Sequence, residues 1–152
     1  MFFASDNAAP VAPEVMAALT RANQGYARSY GADEIMARVT ARIRDVFEAP
    51  EAAVYLVATG TAANSLALAV TCPPWGAVMC HSYAHVAEDE CGAPEFFTNG
   101  AKLVLVEGAH GKMASETLAP ALARIGGGGV HGVQPGMLTV TNVTEAGTVY
   151  TP

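Results

Sequence analysis

The sequence predicts an α/β fold in which helices cover a mostly parallel sheet. Short apolar runs at residues 53–58, 77–80, 101–106 and 137–142 have the length of buried strands. Helix-length stretches separate these runs, and strands that alternate with helices usually pair in parallel. The run 101–106 is almost entirely apolar, which indicates that helices cover both faces of the sheet.

Capping residues and prolines mark where several of the predicted helices begin and end. Residues 10–23 predict the first helix, and Asp33 is the expected N-cap of a second helix that Pro50 ends. Helices are also predicted over residues 61–72 and, with Ser115 as the expected N-cap, to about Ile125. Residues 126–129 are all glycine, and we expect a flexible loop there rather than a phosphate cradle, because no strand leads into it.

The turn between the first predicted strand and the helix over residues 61–72 has the character of an anion site. The first N–H groups of a helix have no partner within it, and with the helix dipole they favour a phosphate. Gly60 allows close approach of the backbone, and the hydroxyls of Thr59 and Thr61 can donate to phosphate oxygens. The turn matches neither GxxxxGK[ST] nor GxGxxG, so a phosphate-bearing cofactor of another kind is predicted.

Composition excludes several classes of function. Only 14% of the residues are charged, against about 25% in an average soluble domain, and 51% are hydrophobic, which favours a large buried interface or missing partner sequence. A net charge of −6 without a basic cluster argues against nucleic-acid binding. No apolar run reaches the roughly 18 residues of a membrane span. The three cysteines lack metal or CxxC spacing and no secretory signal is recognised, so a reduced, cytoplasmic setting is expected.

Histidines and carboxylates are concentrated directly after the strand predicted at residues 77–80. This places them at the carboxyl end of the sheet, where open α/β folds bind ligands. His81 and His85 have the i, i+4 spacing of a helical metal pair, but no third ligand occurs at a recognised spacing, so no metal site is predicted. On spacing alone, a loop whose histidine caps a helix and whose carboxylates face water fits equally well.

Several segments together resemble the low-specificity L-threonine aldolases, which are pyridoxal-phosphate (PLP) enzymes of the aspartate-aminotransferase-like fold. The matching segments are SDN at 5–7, SYGAD at 29–33, TGTAANSLALA at 59–69, AHV at 84–86, DECGAPEFF at 89–97 and TEAGTVY at 144–150. They occur in the family's order and spacing, from about residue 3 to residue 152. DECGAPEFF is the most specific of them.

The resemblance implies a cofactor and a set of contacts to it. Gly60 and Thr61 match the residues that bind the PLP phosphate, and His85 matches the histidine that stacks on the pyridine ring. His131 matches a second family histidine near the substrate, although an exposed loop histidine is the alternative. Either histidine is a candidate to accept the β-hydroxyl proton when a β-hydroxy-α-amino acid is cleaved to glycine and an aldehyde.

Two further positions are assigned by the resemblance to substrate binding. Ser5 matches a serine that hydrogen-bonds the substrate carboxylate, and Tyr30 matches a tyrosine that reaches a neighbouring subunit's site. An ordinary half-buried tyrosine with a satisfied hydroxyl is the alternative for Tyr30. The family therefore implies a small amino-acid substrate such as L-threonine or L-allo-threonine, and a homo-oligomer, either a dimer or a tetramer.

The sequence departs from the family in the residues that anchor PLP and keep its ring protonated. The Schiff-base lysine, the aspartate that keeps the ring nitrogen protonated and a nearby arginine lie downstream of the TEAGTVY segment in the family, and neither Lys102 nor Lys112 has the required context. We therefore expect residues 1–152 to be an N-terminal portion of the PLP-binding large domain that is inactive by itself. Another PLP enzyme of the same fold, such as a β-eliminating lyase, and a non-catalytic fragment remain alternatives.

Overall fold

A computed structural model describes residues 8–151, which divide into two compact units at Tyr55 and Leu56. The first unit contains helices α1 (Pro13–Ala22) and α2 (Glu34–Val46). Helix α1 begins three residues later than predicted, because Pro13 suits the first turn, where its missing N–H is not needed. The capping prediction for α2 is confirmed, since the Asp33 side chain accepts a hydrogen bond from the Met36 N–H at 2.9 Å.

The second unit is a three-stranded parallel sheet with helices, which confirms the predicted α/β class. Its elements are α3 (Gly60–Thr71), β1 (Gly76–His81), α4 (His85–Glu88), α5 (Ala93–Phe97), β2 (Lys102–Val106), α6 (Ser115–Gly126) and β3 (Gln134–Leu138). The strand order is β2–β1–β3, and both neighbours of β1 run parallel to it. None of the helices between residues 8 and 151 is long and apolar enough to cross a bilayer.

Strand β1 forms the centre of the core, because every one of its six residues is buried. Val78 packs in a cluster with Leu68 of α3, while Met79, the next residue, packs in a cluster with Ile125 of α6. Successive side chains of a strand point to opposite faces, so these two clusters lie on opposite sides of the sheet. The prediction that helices cover both faces is therefore confirmed.

Three local predictions are wrong. The apolar run 53–58 is not a strand, because no strand lies beside it among the described residues and its backbone has no ladder to join. The last strand begins at Gln134 rather than at residue 137, since the Gln134 N–H already bonds the Trp75 carbonyl. The N-cap of α6 is Ala114, whose N–H donates to the hydroxyl of Thr117, and Ser115 is instead the first helical residue.

Candidate active site

A cavity of about 320 Å³ lies beyond the carboxyl ends of β1 and β3. Its walls come from the start of α3, the start of α4 and the chain that follows β3. The lining residues are Gly60, Asn64, His85, Val86, Thr139, Val140, Thr141, Asn142 and Glu145. Gly60 and His85, which belong to separate motifs in the sequence, therefore face the same space.

The first turn of α3 offers free backbone donors to this cavity. Thr59 is the N-cap, and its hydroxyl oxygen accepts from the Ala62 N–H at 3.1 Å, which leaves the hydroxyl hydrogen available. The N–H groups of Gly60 and Thr61 have no acceptor within residues 8–151. A side chain built at Gly60 would meet no atom within 4 Å, so the space beside the turn is open. The prediction of a helix that starts at this turn is confirmed, while anion binding there stays a prediction.

His85 is held by a buried carboxylate. Its Nδ1 lies 2.9 Å from Oε1 of Glu90, and because an ionised carboxylate only accepts, Nδ1 carries the hydrogen. The same oxygen accepts from the side-chain amide of Asn64 at 2.6 Å. These two hydrogen bonds link α4 to α3 through Glu90.

The surroundings of His85 favour its protonated form. The hydrogen bond to Glu90 raises the pKa of His85 above its ordinary value, against a smaller lowering by partial burial. The negative charges of Glu90, Glu145 and Asp89 raise the pKa further. The imidazole therefore keeps its proton to a higher pH than an ordinary histidine, and its side chain remains 42% exposed.

His81 has a structural role instead of ligating a metal. Its Nδ1 accepts from the backbone N–H of Tyr83 at 2.9 Å, so Nε2 carries the hydrogen and donates to the Gly108 carbonyl at 3.0 Å. His81 ends a strand and His85 begins a helix, so the two do not form a helical pair. Residues 8–151 contain no cluster of three or more histidine, cysteine or acidic side chains that could hold a metal ion.

A tight turn after β3 brings Glu145 into the cavity. Thr144 closes this turn, since its backbone N–H donates to the Thr148 carbonyl at 2.9 Å and its hydroxyl accepts from the Thr148 N–H at 3.1 Å. The Thr148 hydroxyl in turn donates to the carbonyl of His110 at 2.6 Å, which anchors the turn to the loop after β2. Glu145 thus lines the same cavity as His85, as its effect on the His85 pKa also indicates.

The structure does not bring His131 to this cavity. His131 lies in the short turn Gly129–His131 between α6 and β3, which is at the amino end of a parallel strand, whereas the cavity lies at the carboxyl ends. Its side chain lines a different cavity, together with Lys102 and Arg124. Its assignment near the substrate therefore has no support from its position in the described chain.

Tyr30, Ser5 and the two lysines complete the set of residues considered from the sequence. Tyr30 belongs to the first unit and its side chain is fully exposed, so the alternative of a half-buried tyrosine is wrong. Ser5 lies outside the described residues. Of the two lysines, Lys102 opens β2 at the amino edge of the sheet, and the ammonium of Lys112 donates to the Val149 carbonyl at 3.3 Å.

Comparison with known proteins settles the family. A sequence model described as beta-eliminating lyase matches residues 3–152. The chain belongs to the beta-eliminating lyase family. Among curated relatives of this lyase-family chain, a low specificity L-threonine aldolase of Pseudomonas aeruginosa is 45% identical and one of a Pseudomonas species is 43% identical, each over 151 residues. The alignments cover 99% of this chain but 42% of either relative.

A solved structure agrees with the sequence relatives. The fold matches a threonine aldolase of Leishmania major with a TM-score of 0.86 and 29% identity, over 94% of this chain and 41% of that one. The resemblance to threonine aldolases seen in the sequence is therefore confirmed, and the chain spans less than half the length of these lyase-family relatives.

Three residues at this site were not predicted from the sequence: Asn64 and Glu145 line the cavity, and Glu90 bonds His85 from outside its lining. Asn64, Glu90 and Glu145 all lie within the segments that carry the family resemblance, yet no role was assigned to them. Asn64 gives a usable signal, because it lies one turn after Gly60 on the same side of the helix. Glu90 gives none, since its neighbours in sequence include other carboxylates that face solvent, and Glu145 gives none because its approach to the cavity depends on the turn closed by Thr144 and Thr148.

Proposed function

We propose that this chain forms the cofactor-phosphate part of a PLP-dependent aldolase. Its reaction is the cleavage of L-threonine and related β-hydroxy-α-amino acids to glycine and an aldehyde. The observation that carries the proposal is the shared cavity, in which the free N–H groups of α3 and the imidazole of His85 face one space. Both curated relatives named above are low specificity L-threonine aldolases, which supports the choice of reaction.

The residues at the start of α3 fit a phosphate. Two backbone N–H groups, at Gly60 and Thr61, are unpaired within residues 8–151, and the Thr59 hydroxyl adds a third donor. Because a dianion is stabilised by several donors and by the positive end of a twelve-residue helix, this turn is the proposed phosphate site. A side chain at residue 60 would enter the open space beside this turn and obstruct the approach of the phosphate.

His85 supplies the flat group against the cofactor ring. The cavity volume of about 320 Å³ lies within the usual range of small-molecule sites. When bound, PLP supplies the electron sink that stabilises negative charge on the substrate α-carbon. The imidazole of His85 packs against the ring, and Nε2 is its free nitrogen, since Nδ1 is bonded to Glu90.

The carboxylate of Glu145 and the imidazole of His85 are the proton carriers of this cavity. Aldol cleavage requires removal of the β-hydroxyl proton, and both groups line the space where that hydroxyl would be held. We therefore assign the second acid–base position to Glu145 rather than to His131. The raised pKa of His85 lets Nε2 hold a proton near neutral pH.

A chimera tests the proposal directly. This chain replaces the aligned 151 residues of the Pseudomonas aeruginosa relative, and the purified chimera is incubated with PLP and L-threonine. Formation of glycine and acetaldehyde supports the proposal. Formation of a keto acid and ammonia instead would assign the chain to an eliminating reaction, and a folded chimera that binds PLP but leaves threonine unchanged would contradict it. A His85→Asn chimera is the matched control, with loss of turnover expected.

A further inference from the structure

Glu90 is a buried acidic residue, and among the described residues no lysine or arginine pairs with it. Only 3% of the residue is exposed, and its carboxylate is fully shielded from solvent. Removing a carboxylate from water is costly unless partners replace the lost hydration. Two partners are present at Oε1, namely Nδ1 of His85 and the amide of Asn64, but Oε2 has none within residues 8–151.

That arrangement is poorly explained by stability alone. A buried oxygen without a partner is costly, and an apolar side chain at residue 90 would avoid this cost. Buried polar groups that remain incompletely satisfied occur often where a function needs them. The function to be explained involves His85, because His85 is the titratable partner of Glu90 and, like Asn64, lines the cavity.

We propose that Glu90 is a positioning residue that fixes both the orientation and the tautomer of His85. By accepting from Nδ1–H, Glu90 leaves Nε2 as the nitrogen that faces ligand. By accepting from Asn64, it fixes the imidazole relative to the helix that starts at Gly60. This role deepens the proposed function, and its consequence for catalysis rests on that function. The orientation and the tautomer of the imidazole do not depend on it.

The sequence positions explain why one carboxylate can join the two helices. Asn64 follows Gly60 by four residues, so both lie on the same side of α3. His85 is the first residue of a helix of only four residues, and 42% of its side chain is exposed, so α4 alone would restrict the imidazole little. The two hydrogen bonds to Glu90 supply that restriction.

His81 provides an internal contrast within the same chain. Its Nδ1 accepts a backbone hydrogen and its Nε2 donates, which is the opposite tautomer from that assigned to His85. The two histidines, four residues apart, thus differ in which ring nitrogen donates to a partner: Nε2 in His81 and Nδ1 in His85. This difference can be read from nitrogen chemical shifts without any bound cofactor.

The experiment is a pH titration of the chain with ¹⁵N-labelled histidine, followed by NMR. The charges that act on His85 are those of Glu90, Glu145 and Asp89, so the substitution is Glu90→Gln, which removes the charge and keeps an acceptor. We expect a downward shift of the His85 titration midpoint with Nδ1–H retained. In Glu90→Ala, the preference for Nδ1–H should be lost. Glu88→Gln, an exposed change on α4, is the matched control and should leave His85 unchanged.

The His81 signals report whether each variant keeps its fold. If His81 retains Nε2–H while neither Glu90 variant alters the midpoint or the tautomer of His85, the inference is overturned. Addition of PLP separates this result from the proposed function. If PLP perturbs the amide signals of Gly60 and Thr61 but the Glu90 substitutions leave His85 unchanged, the role of Glu90 is contradicted and the phosphate site is not. A Glu90-dependent His85 without any response at Gly60 or Thr61 would contradict the phosphate site and leave the role of Glu90 supported.

Discussion

The Nε2 atom of His81 lies 3.0 Å from the carbonyl oxygen of Gly108. This hydrogen bond joins the end of the central strand β1 to the loop after β2, at the edge of the sheet where the cavity lies. The loop then bends back so closely that the Lys112 carbonyl approaches the α-carbon of Gly108. The region around Gly108 therefore has no room for a side chain, and it supports the turn that carries Glu145.

Replacement of Gly108 by alanine should destabilise the chain strongly. A Cβ at this residue would lie 1.8 Å from the carbonyl oxygen of Lys112, so the backbone of the loop must move. Overpacking of this kind costs about 1–3 kcal/mol or more. Urea unfolding followed by circular dichroism measures the loss. Gly126→Ala, in open space at the end of α6, is the control and should leave stability unchanged or slightly higher.

Cysteine reactivity should follow burial. Burial raises the pKa of the Cys80 thiol to about 11, with a further rise from the charge of Glu95, and burial also raises the pKa of Cys72. Cys91 is exposed. Since the thiolate is the reactive form, iodoacetamide at about pH 8 should alkylate Cys91 alone in the native chain and all three in urea. Peptide mass spectrometry locates the label, and rapid native modification of Cys80 would contradict the described core.

Elements with local causes could be predicted from sequence, and elements that depend on distant partners could not. The cap at Asp33 and the turn at Gly60 follow from residues three or four apart, so the sequence contains all their determinants. The run 53–58 has the composition of a strand, but a strand exists only beside another strand, and none adjoins it in residues 8–151. The side chains of Tyr55, Leu56 and Val57 are also exposed, so apolar composition predicted neither burial nor pairing for this run.

The site shows the same division between local and distant causes. Sequence motifs predicted Gly60 and His85 as site residues. Each is the first residue of a helix that begins next to the cavity. Glu145 reaches the cavity because Thr144 and Thr148 close a turn after β3, a contact that spacing alone does not reveal. His131 was matched by its place before a strand, but that place is the amino end of β3.

The two lysines of this chain should not form a Schiff base with PLP in the cavity. Lys102 lies at the opposite edge of the sheet, and Lys112 is bonded to the Val149 carbonyl. An absorbance titration of the chain with PLP should therefore show no stable visible band that depends on either lysine. Lys102→Arg and Lys112→Arg are the controls, since each keeps the charge. A stable band that either substitution removes would refute this prediction.

Replacement of Gly60 by alanine should weaken phosphate binding without weakening the fold. The added methyl group meets no protein atom but occupies the open space beside the N–H groups of Gly60 and Thr61. We expect about a tenfold weaker affinity for PLP, which corresponds to about 1.4 kcal/mol, while stability stays equal or rises because alanine favours a helix. NMR titration of the backbone amides with PLP measures the affinity, and urea unfolding measures the stability. Unchanged affinity would mean that the phosphate lies elsewhere.

Stability should depend on pH through His85, and the sign is fixed by its raised pKa. An unfolded histidine titrates near pH 6.5, so the contribution of the charged imidazole is fully present below about pH 6.5 and is lost as pH rises through the higher folded pKa. The advantage of the wild-type chain over His85→Gln in unfolding free energy should therefore be larger at about pH 5.5 than at about pH 9. Because the side chain is partly exposed, solvent screening keeps this difference small.

A double-mutant cycle assigns this pH dependence to the contact between His85 and Glu90. If their hydrogen bond is the main cause, Glu90→Gln should reduce the pH-dependent part of the unfolding free energy in the wild-type background. In the His85→Gln background, the effect of Glu90→Gln on the unfolding free energy should not depend on pH. Urea unfolding of the four proteins across that pH range gives the coupling. An equal pH-dependent effect of Glu90→Gln in both backgrounds would place its origin outside the contact between His85 and Glu90. The folded imidazole would then owe its charge to Glu145 and Asp89, the other two carboxylates that raise its pKa.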